Sequence, residues 1–255
     1  MTSPASAWAC PPITQRRRCS ARPRCASARH CSRTDLDAII FDFDGVLLES
    51  EFAGNRHLAE LLTDLGFPTA VEEALRHFSG LNGRDFIAAI EARIGGQLPA
   101  EFHERRGDED ARVLREGLAA VGGAVEFVRS LPPSLPKAVA SSSSVHWVRT
   151  HLGHLGLGDA FGDHLYSGHE HVACGKPAPD LYCYAASQLG VPIAKCTIIE
   201  DSPVGAAGAL ASGARVIGLA AGSHCLPGHD ERLRALGVEE IAFSFDDVRR
   251  LIASG

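Results

Sequence analysis

The chain has 255 residues, of which 45% are hydrophobic and 22% charged, and its formal net charge is −6. That length supports one large domain or two modest ones around a sizeable core, and the composition excludes collagen, coiled coil and disorder throughout. The negative balance argues against a nucleic-acid partner, and no apolar run approaches the roughly 20 residues of a membrane helix, so no membrane partner is expected.

Residues 1–34 stand apart. They hold seven arginines, no acidic residue, and Cys10, Cys19, Cys25 and Cys31. Neither a period of 3.6 nor a period of 2 runs through them, so the expectation is a disordered or artefactual head. Arginine- and serine-rich, acid-free composition also fits an organelle transit peptide, although Pro4, Pro11, Pro12 and Pro23 oppose the amphipathic helix such a peptide needs. The head cysteines are too widely spaced for the tight pairs of a structural zinc site. Cys174, Cys183, Cys196 and Cys225 are scattered and read as reduced thiols of an intracellular, cytoplasmic protein.

The first strand is Ala38-Ile39-Ile40-Phe41, and it runs into Asp42-Phe43-Asp44-Gly45. Residues 52–65, 70–78, 82–93 and 100–120 then read as helices with no strong strand among them. About 95 residues separate this strand from the next, too many for an ordinary crossover. The economical explanation is an all-helical insert over residues 51–120, seated above a core of residues 35–50 and 121–255. The core resumes with a helix over 122–130, a strand over 138–140 and a helix over 144–155. A helix over 178–190, a strand over 197–199, a helix over 204–212, strands over 216–219 and 241–243 and a helix over 245–253 follow. The strand runs are short, apolar and mostly not alternating, as suits strands buried on both faces of a parallel sheet. The fold class is therefore α/β, a doubly wound, Rossmann-like parallel sheet, which binds ligands at the carboxyl ends of its strands.

Four segments stand at those ends. Asp42 and Asp44 close the first strand, where aspartate and glycine also serve as turn residues. Ser141-Ser142-Ser143-Ser144 closes the second; one serine can cap the next helix, and hydroxyls at a helix start also bind anions. Gly175-Lys176-Pro177 carries one of three lysines in the chain, and Glu200-Asp201-Ser202-Pro203 ends a further strand. If these ends converge, four carboxylates share one pocket and most need compensation. A hard divalent cation such as Mg²⁺ provides it, using few carboxylates plus a phosphate, while Lys176 offsets the charge of Asp42 or of that phosphate. Cation, lysine, hydroxyls and helix N-terminus together favour a phosphoryl group, on which one carboxylate can act as nucleophile.

In the order and spacing of Asp42-Phe43-Asp44-Gly45, Ala140-Ser141-Ser142-Ser143, Gly175-Lys176-Pro177 and Glu200-Asp201-Ser202-Pro203-Val204-Gly205, the chain resembles the haloacid dehalogenase superfamily. The branch is that of β-phosphoglucomutase-like sugar phosphatases, and the similarity spans roughly residues 36–250. The resemblance implies that Asp42 is the nucleophile and a metal ligand, and that Asp44 is the acid/base whose backbone carbonyl also binds Mg²⁺. It implies that Glu200 and Asp201 hold the metal, and that Ser141, Lys176 and the N–H of Ser142 bind phosphoryl oxygens. The helical insert corresponds to a mobile cap, in which Gly83-Arg84-Asp85 resembles a segment that presents a substrate-contacting arginine, here Arg84.

Asp44 occupies a position that lacks an acid in the founding dehalogenases, so carbon–halogen cleavage is not expected. Residues 51–120 contain no lysine, which excludes a Schiff-base route to phosphonate cleavage. The mutases carry a histidine ten residues after the acid/base aspartate; here that residue is Gly54. The expected function is Mg²⁺-dependent hydrolysis of a small sugar or polyol phosphate by a monomer, with a phosphomutase and a non-catalytic phospho-ligand binder as alternatives. Asn55 and His57 are expected in core or surface roles, and Trp147 as a helix anchor. His151, His154, His164, His169 and His171 are expected on surfaces or loops, since no cysteine or acid completes a zinc set among them.

Overall fold

The strands form where short apolar runs can be buried on both sides. The structure, a computed structural model, describes residues 36–79, 81 and 83–254; the arginine-rich head lies outside the described residues. Strands β1 (Ala38–Phe41), β2 (Lys137–Ser141), β3 (Leu165–Ser167), β4 (Cys196–Glu200), β5 (Arg215–Leu219) and β6 (Glu240–Ala242) build one parallel sheet. Their order is β3-β2-β1-β4-β5-β6.

Alternate side chains enter two different cores. Ile39, Phe41, Val139, Ile199 and Ile217 point to one face. There they meet Phe127 of α5 (Ala124–Ser130), Val148 and Leu152 of α6 (Val145–His154), and Phe245 and Val248 of α10 (Phe245–Ser254). Ala38, Ile40, Ala138, Ala140 and Ile198 point to the other. They pack on Leu181 and Ala185 of α7 (Asp180–Leu189), Ala206 and Ala209 of α8 (Pro203–Ser212) and Leu233 of α9 (His229–Ala235). Each fully buried Leu, Ile or Phe contributes roughly 1.5–3 kcal/mol, so both layers are needed and the fold is doubly wound.

The chain leaves β1 toward β2 and β3, then returns to the other side for β4. The strand order therefore reverses at β1, which opens a crevice at the carboxyl ends of β1, β2 and β4. Above it sit α1 (Ser50–Asp64), α2 (Val71–Phe78), α3 (Gly83–Ile94) and α4 (Ala100–Glu116). These four helices bury a third cluster of their own, including Leu58, Leu61, Leu62, Phe78, Ile90 and Phe102. Both crossings to the sheet run side by side: Glu49 N–H donates to the Ala119 carbonyl (2.9 Å) and Val121 N–H to the Leu47 carbonyl (3.2 Å).

Several features depart from expectation. β3 is three residues at the sheet edge, and α9 is seven mostly polar residues, so neither has a run long enough to signal itself. α4 stops at Glu116 because Gly117 takes a left-handed φ of +79°, short of the expected residue 120. His151 is fully buried against Trp147 rather than on the surface. Cys174 and Cys183 are disulfide-bonded, against the expectation of reduced thiols, while Cys196 and Cys225 are free. Among the described residues no helix is long and apolar enough to cross a membrane.

Candidate active site

β1 delivers Asp42 to the crevice, and the Asp42 N–H is fixed by the Ile199 carbonyl of the neighbouring strand (2.9 Å). Lys176, from the loop before α7, reaches Asp42 Oδ1 at 2.5 Å and Glu200 Oε1 at 2.8 Å. All three side chains are buried. Burial disfavours the charge on Lys176, but Asp42 and Glu200 outweigh it, and the ammonium is held well above the usual lysine range. The ring of Tyr182 lies 5.1 Å beneath its Nζ, adding a cation–π contact. For Asp42, burial pushes the carboxyl up, Lys176 works against that, and Glu200, Asp201 and Asp44 push it further up.

Glu200 has no solvent exposure. An unpaired carboxylate there would be strongly disfavoured. It accepts instead from Lys176, from the Tyr182 hydroxyl (3.0 Å), and at its second oxygen from the Ser202 N–H (2.7 Å) and hydroxyl (3.1 Å). α8 can start directly over it because position 205 is glycine: a Cβ there would overlap the Glu200 carboxylate. Gly205→Ala is therefore expected to cost at least about 1–3 kcal/mol, read as a lower thermal unfolding midpoint. An unchanged midpoint would show that Glu200 has room to move.

Asp44 is gripped by four donors. Ser50 Oγ (2.6 Å) and Trp147 Nε1 (3.1 Å) donate to Oδ1, while Ser141 Oγ (3.1 Å) and Ser143 Oγ (2.6 Å) donate to Oδ2. Ser144 is the serine that caps α6, accepting from the Trp147 N–H at 3.1 Å, which leaves Ser141, Ser142 and Ser143 at the crevice. Trp147 is thus both a packed helix anchor and a ligand of Asp44, a role its position in the sequence does not reveal.

Asp201 completes the floor. His224, from the loop after β5, pairs with its Oδ2 at 2.8 Å. Burial acts against the imidazolium, but this carboxylate prevails and lifts His224 to about 11. The other oxygen, Asp201 Oδ1, is buried without a hydrogen-bond partner. Carboxylate oxygens of Asp42, Glu200 and Asp201 lie within 4.8 Å of one another. An orphaned buried oxygen and an acid surplus that drives Asp42 toward its neutral form both fit a hard cation with oxygen ligands; the donors do not choose among such cations.

A cleft of about 600 Å³ opens above these groups, a size suited to a small molecule. Asp42, Asp44, Ser141, Ser142, Lys176 and Asp201 line it, and Glu200 lies just beneath. The insert contributes Arg76 and Arg106, together with Asn55 and the apolar side chains of Leu58, Phe78 and Phe86. Asn55 is nearly buried and donates to the Glu51 carbonyl (2.8 Å) and Ser79 Oγ (3.2 Å). Arg84 is not brought to the cleft; it is exposed at the first turn of α3.

The model of the haloacid dehalogenase-like hydrolases matches residues 36–213. The 6-phosphogluconate phosphatase of Escherichia coli is 27% identical over 193 residues, covering 75% of this chain and 86% of that protein. A conserved haloacid dehalogenase-like protein of unknown function from Agrobacterium tumefaciens superposes with a TM-score of 0.78 at 32% identity, covering 86% of this chain and 99% of that one. A family hydrolase from Deinococcus radiodurans, solved with bound phosphate and sodium, gives 0.75 at 31% identity, with 87% and 96% covered.

Proposed function

The chain belongs to the haloacid dehalogenase-like hydrolases, and from that premise we propose that it is a Mg²⁺-dependent phosphatase of small sugar or polyol phosphates. One observation carries the reading. Asp42 stands at the mouth of the central strand, bound to a buried lysine on one side and facing two further acids and a serine cluster on the other.

In this reading Asp42, the Asp44 carbonyl and Asp201 hold the cation, with Glu200 close beneath. The cation supplies charge neutralisation, which lets Asp42 and a phosphate dianion meet. Lys176 grips Asp42 Oδ1, so Oδ2 is the atom that attacks phosphorus and forms the aspartyl phosphate. The hydroxyl of Ser141, the N–H of Ser142 and the Lys176 ammonium bind the phosphoryl oxygens. Asp44, once it has taken up a proton in place of one of its serine or tryptophan donors, gives that proton to the leaving oxygen and then removes one from the attacking water. Both of its oxygens are engaged in this conformation, so it must first exchange a serine or Trp147 for the substrate oxygen. Ser50 opens the insert, so movement of α1–α4 is mechanically tied to that exchange.

We read residues 51–120 as the cap that chooses the substrate. Arg76 and Arg106 face the cleft and suit a polyhydroxy substrate with a second anionic group; the similarity to a 6-phosphogluconate phosphatase supports the same class. Arg84 would contribute only after cap movement. The mutase is not the favoured reading: position 54 is glycine, with the Arg106 guanidinium over it and donating to its carbonyl at 3.5 Å. The test is phosphate release from a panel of sugar and sugar-acid phosphates. Release that requires Mg²⁺ and stops with a chelator is expected. Isomerised substrate outpacing free phosphate would overturn the reading.

A further inference from the structure

The loop after β5 carries His224-Cys225, and α9 begins four residues on at His229. Neither the sequence pattern nor the hydrolysis reaction assigns these residues a joint role. Their ligand atoms nevertheless all lie within 4.8 Å of one another, with both histidines buried and Cys225 half-buried. Cys225 Sγ is 3.5 Å from His224 Nε2. Nitrogen and sulfur bound to one zinc at about 2.0 and 2.3 Å with tetrahedral angles stand about 3.5 Å apart.

Two further contacts hold the imidazoles in place. Asp201 Oδ2 lies 2.8 Å from the same His224 nitrogen. His229 Nε2 sits 2.6 Å from the Asp201 carbonyl. Donation to that carbonyl fixes the tautomer and leaves Nδ1 as the lone pair, as in metal-bound histidines whose other nitrogen is held by a carbonyl. The exposed Arg232 covers Nδ1 at 3.0 Å and has to swing away for a cation to bind there. The loop itself is anchored, because Ser223 donates its N–H and hydroxyl to Glu49 at the base of the insert.

We propose that His224, Cys225 and His229 form a second, zinc-type metal site beside the hydrolytic pocket. Two imidazoles and a thiolate are a borderline-soft donor set that leaves one tetrahedral position open, unlike the all-oxygen set at Asp42. Binding expels the thiol proton of Cys225 and the proton between His224 and Asp201 to solvent. Binding also takes His224 Nε2 out of its pairing with Asp201, so zinc lowers turnover; this last clause rests on the proposed phosphatase reading.

Co²⁺ titration of the full chain in the presence of Mg²⁺, without substrate, tests the site directly. Wild type is expected to bind Co²⁺ with a sulfur-to-cobalt charge-transfer band that zinc abolishes. Cys225→Ser is expected to lose the band, and His229→Gln to weaken binding by at least about tenfold. No band, or equal bands in wild type and Cys225→Ser, overturns the site, whether or not the protein releases phosphate. Phosphate release is then read with added Zn²⁺: inhibition of wild type but not of Cys225→Ser is expected. Equal inhibition of both would sever the site from Asp201.

Discussion

Asp42→Asn is expected to lose at least about a thousandfold in phosphate release while the protein stays folded. On the proposed reading Asp42 is the nucleophile; the amide keeps the shape of the carboxylate but cannot form the acyl phosphate, and removal of a nucleophile costs at least this much where the step is covalent. A thousandfold corresponds to about 4 kcal/mol of transition-state stabilisation. The fold is expected to stand because burial and three nearby acids already oppose the charge on Asp42, while Lys176 keeps Glu200 as its partner. The variant should therefore unfold at or above the wild-type midpoint. Residual activity within tenfold of wild type would remove Asp42 from the chemistry. A large fall in the midpoint would show instead that the Asp42–Lys176 pair is structural.

Lys176→Met is expected to be the reverse case, a loss of both activity and stability. Methionine fills the space but leaves Asp42 and Glu200 facing one another without a cation, both buried. Removing one partner of a buried ion pair costs about 3–5 kcal/mol, or roughly 10 °C in a chain of this length. The pH dependence identifies the cause. Asp42 already has its folded-state pKa raised, and losing Lys176 raises it further. A carboxyl so shifted takes up protons in the folded state before the unfolded one, so the penalty is full at high pH and shrinks as pH falls through the folded pKa. Urea unfolding of wild type and variant across a pH series reads this directly. A deficit that does not narrow toward acid pH would assign the loss to packing.

The sheet was legible because its strands are apolar on both faces and end in chemistry. Ile39-Ile40-Phe41 into Asp42, Val139-Ala140 into Ser141, and Ile198-Ile199 into Glu200 each announce both a strand and what stands at its carboxyl end. The convergence of Asp42, Lys176 and Glu200 was legible for the same reason. What could not be read depends on helical phase and loop path. Trp147 reaches Asp44 only because α6 presents that face to the crevice, and Tyr182 reaches Glu200 only because α7 lies under the sheet's other side. His224 belongs to a glycine-containing loop with no local periodicity, and its spacing to Cys225 and His229 was the one available signal. Arg84 shows the converse: a local likeness to a substrate-contacting segment did not bring the side chain into the cleft in this conformation.

The side-by-side neck of the helical insert bears on how the chain reaches this structure. β1 must pair with β2, yet the insert lies between them in sequence. Joining the ends of a long flexible segment has an entropic cost that rises by about 0.6 kcal/mol for each doubling of its length, and distant pairings slow folding. The insert has its own apolar cluster, and its two ends meet through Glu49 with Ala119 and Leu47 with Val121. Once its helices have condensed, the span from β1 to β2 behaves as a short loop rather than a long one. The element seated over the crevice is thereby also a contact-order device that brings the two central strands within reach of each other.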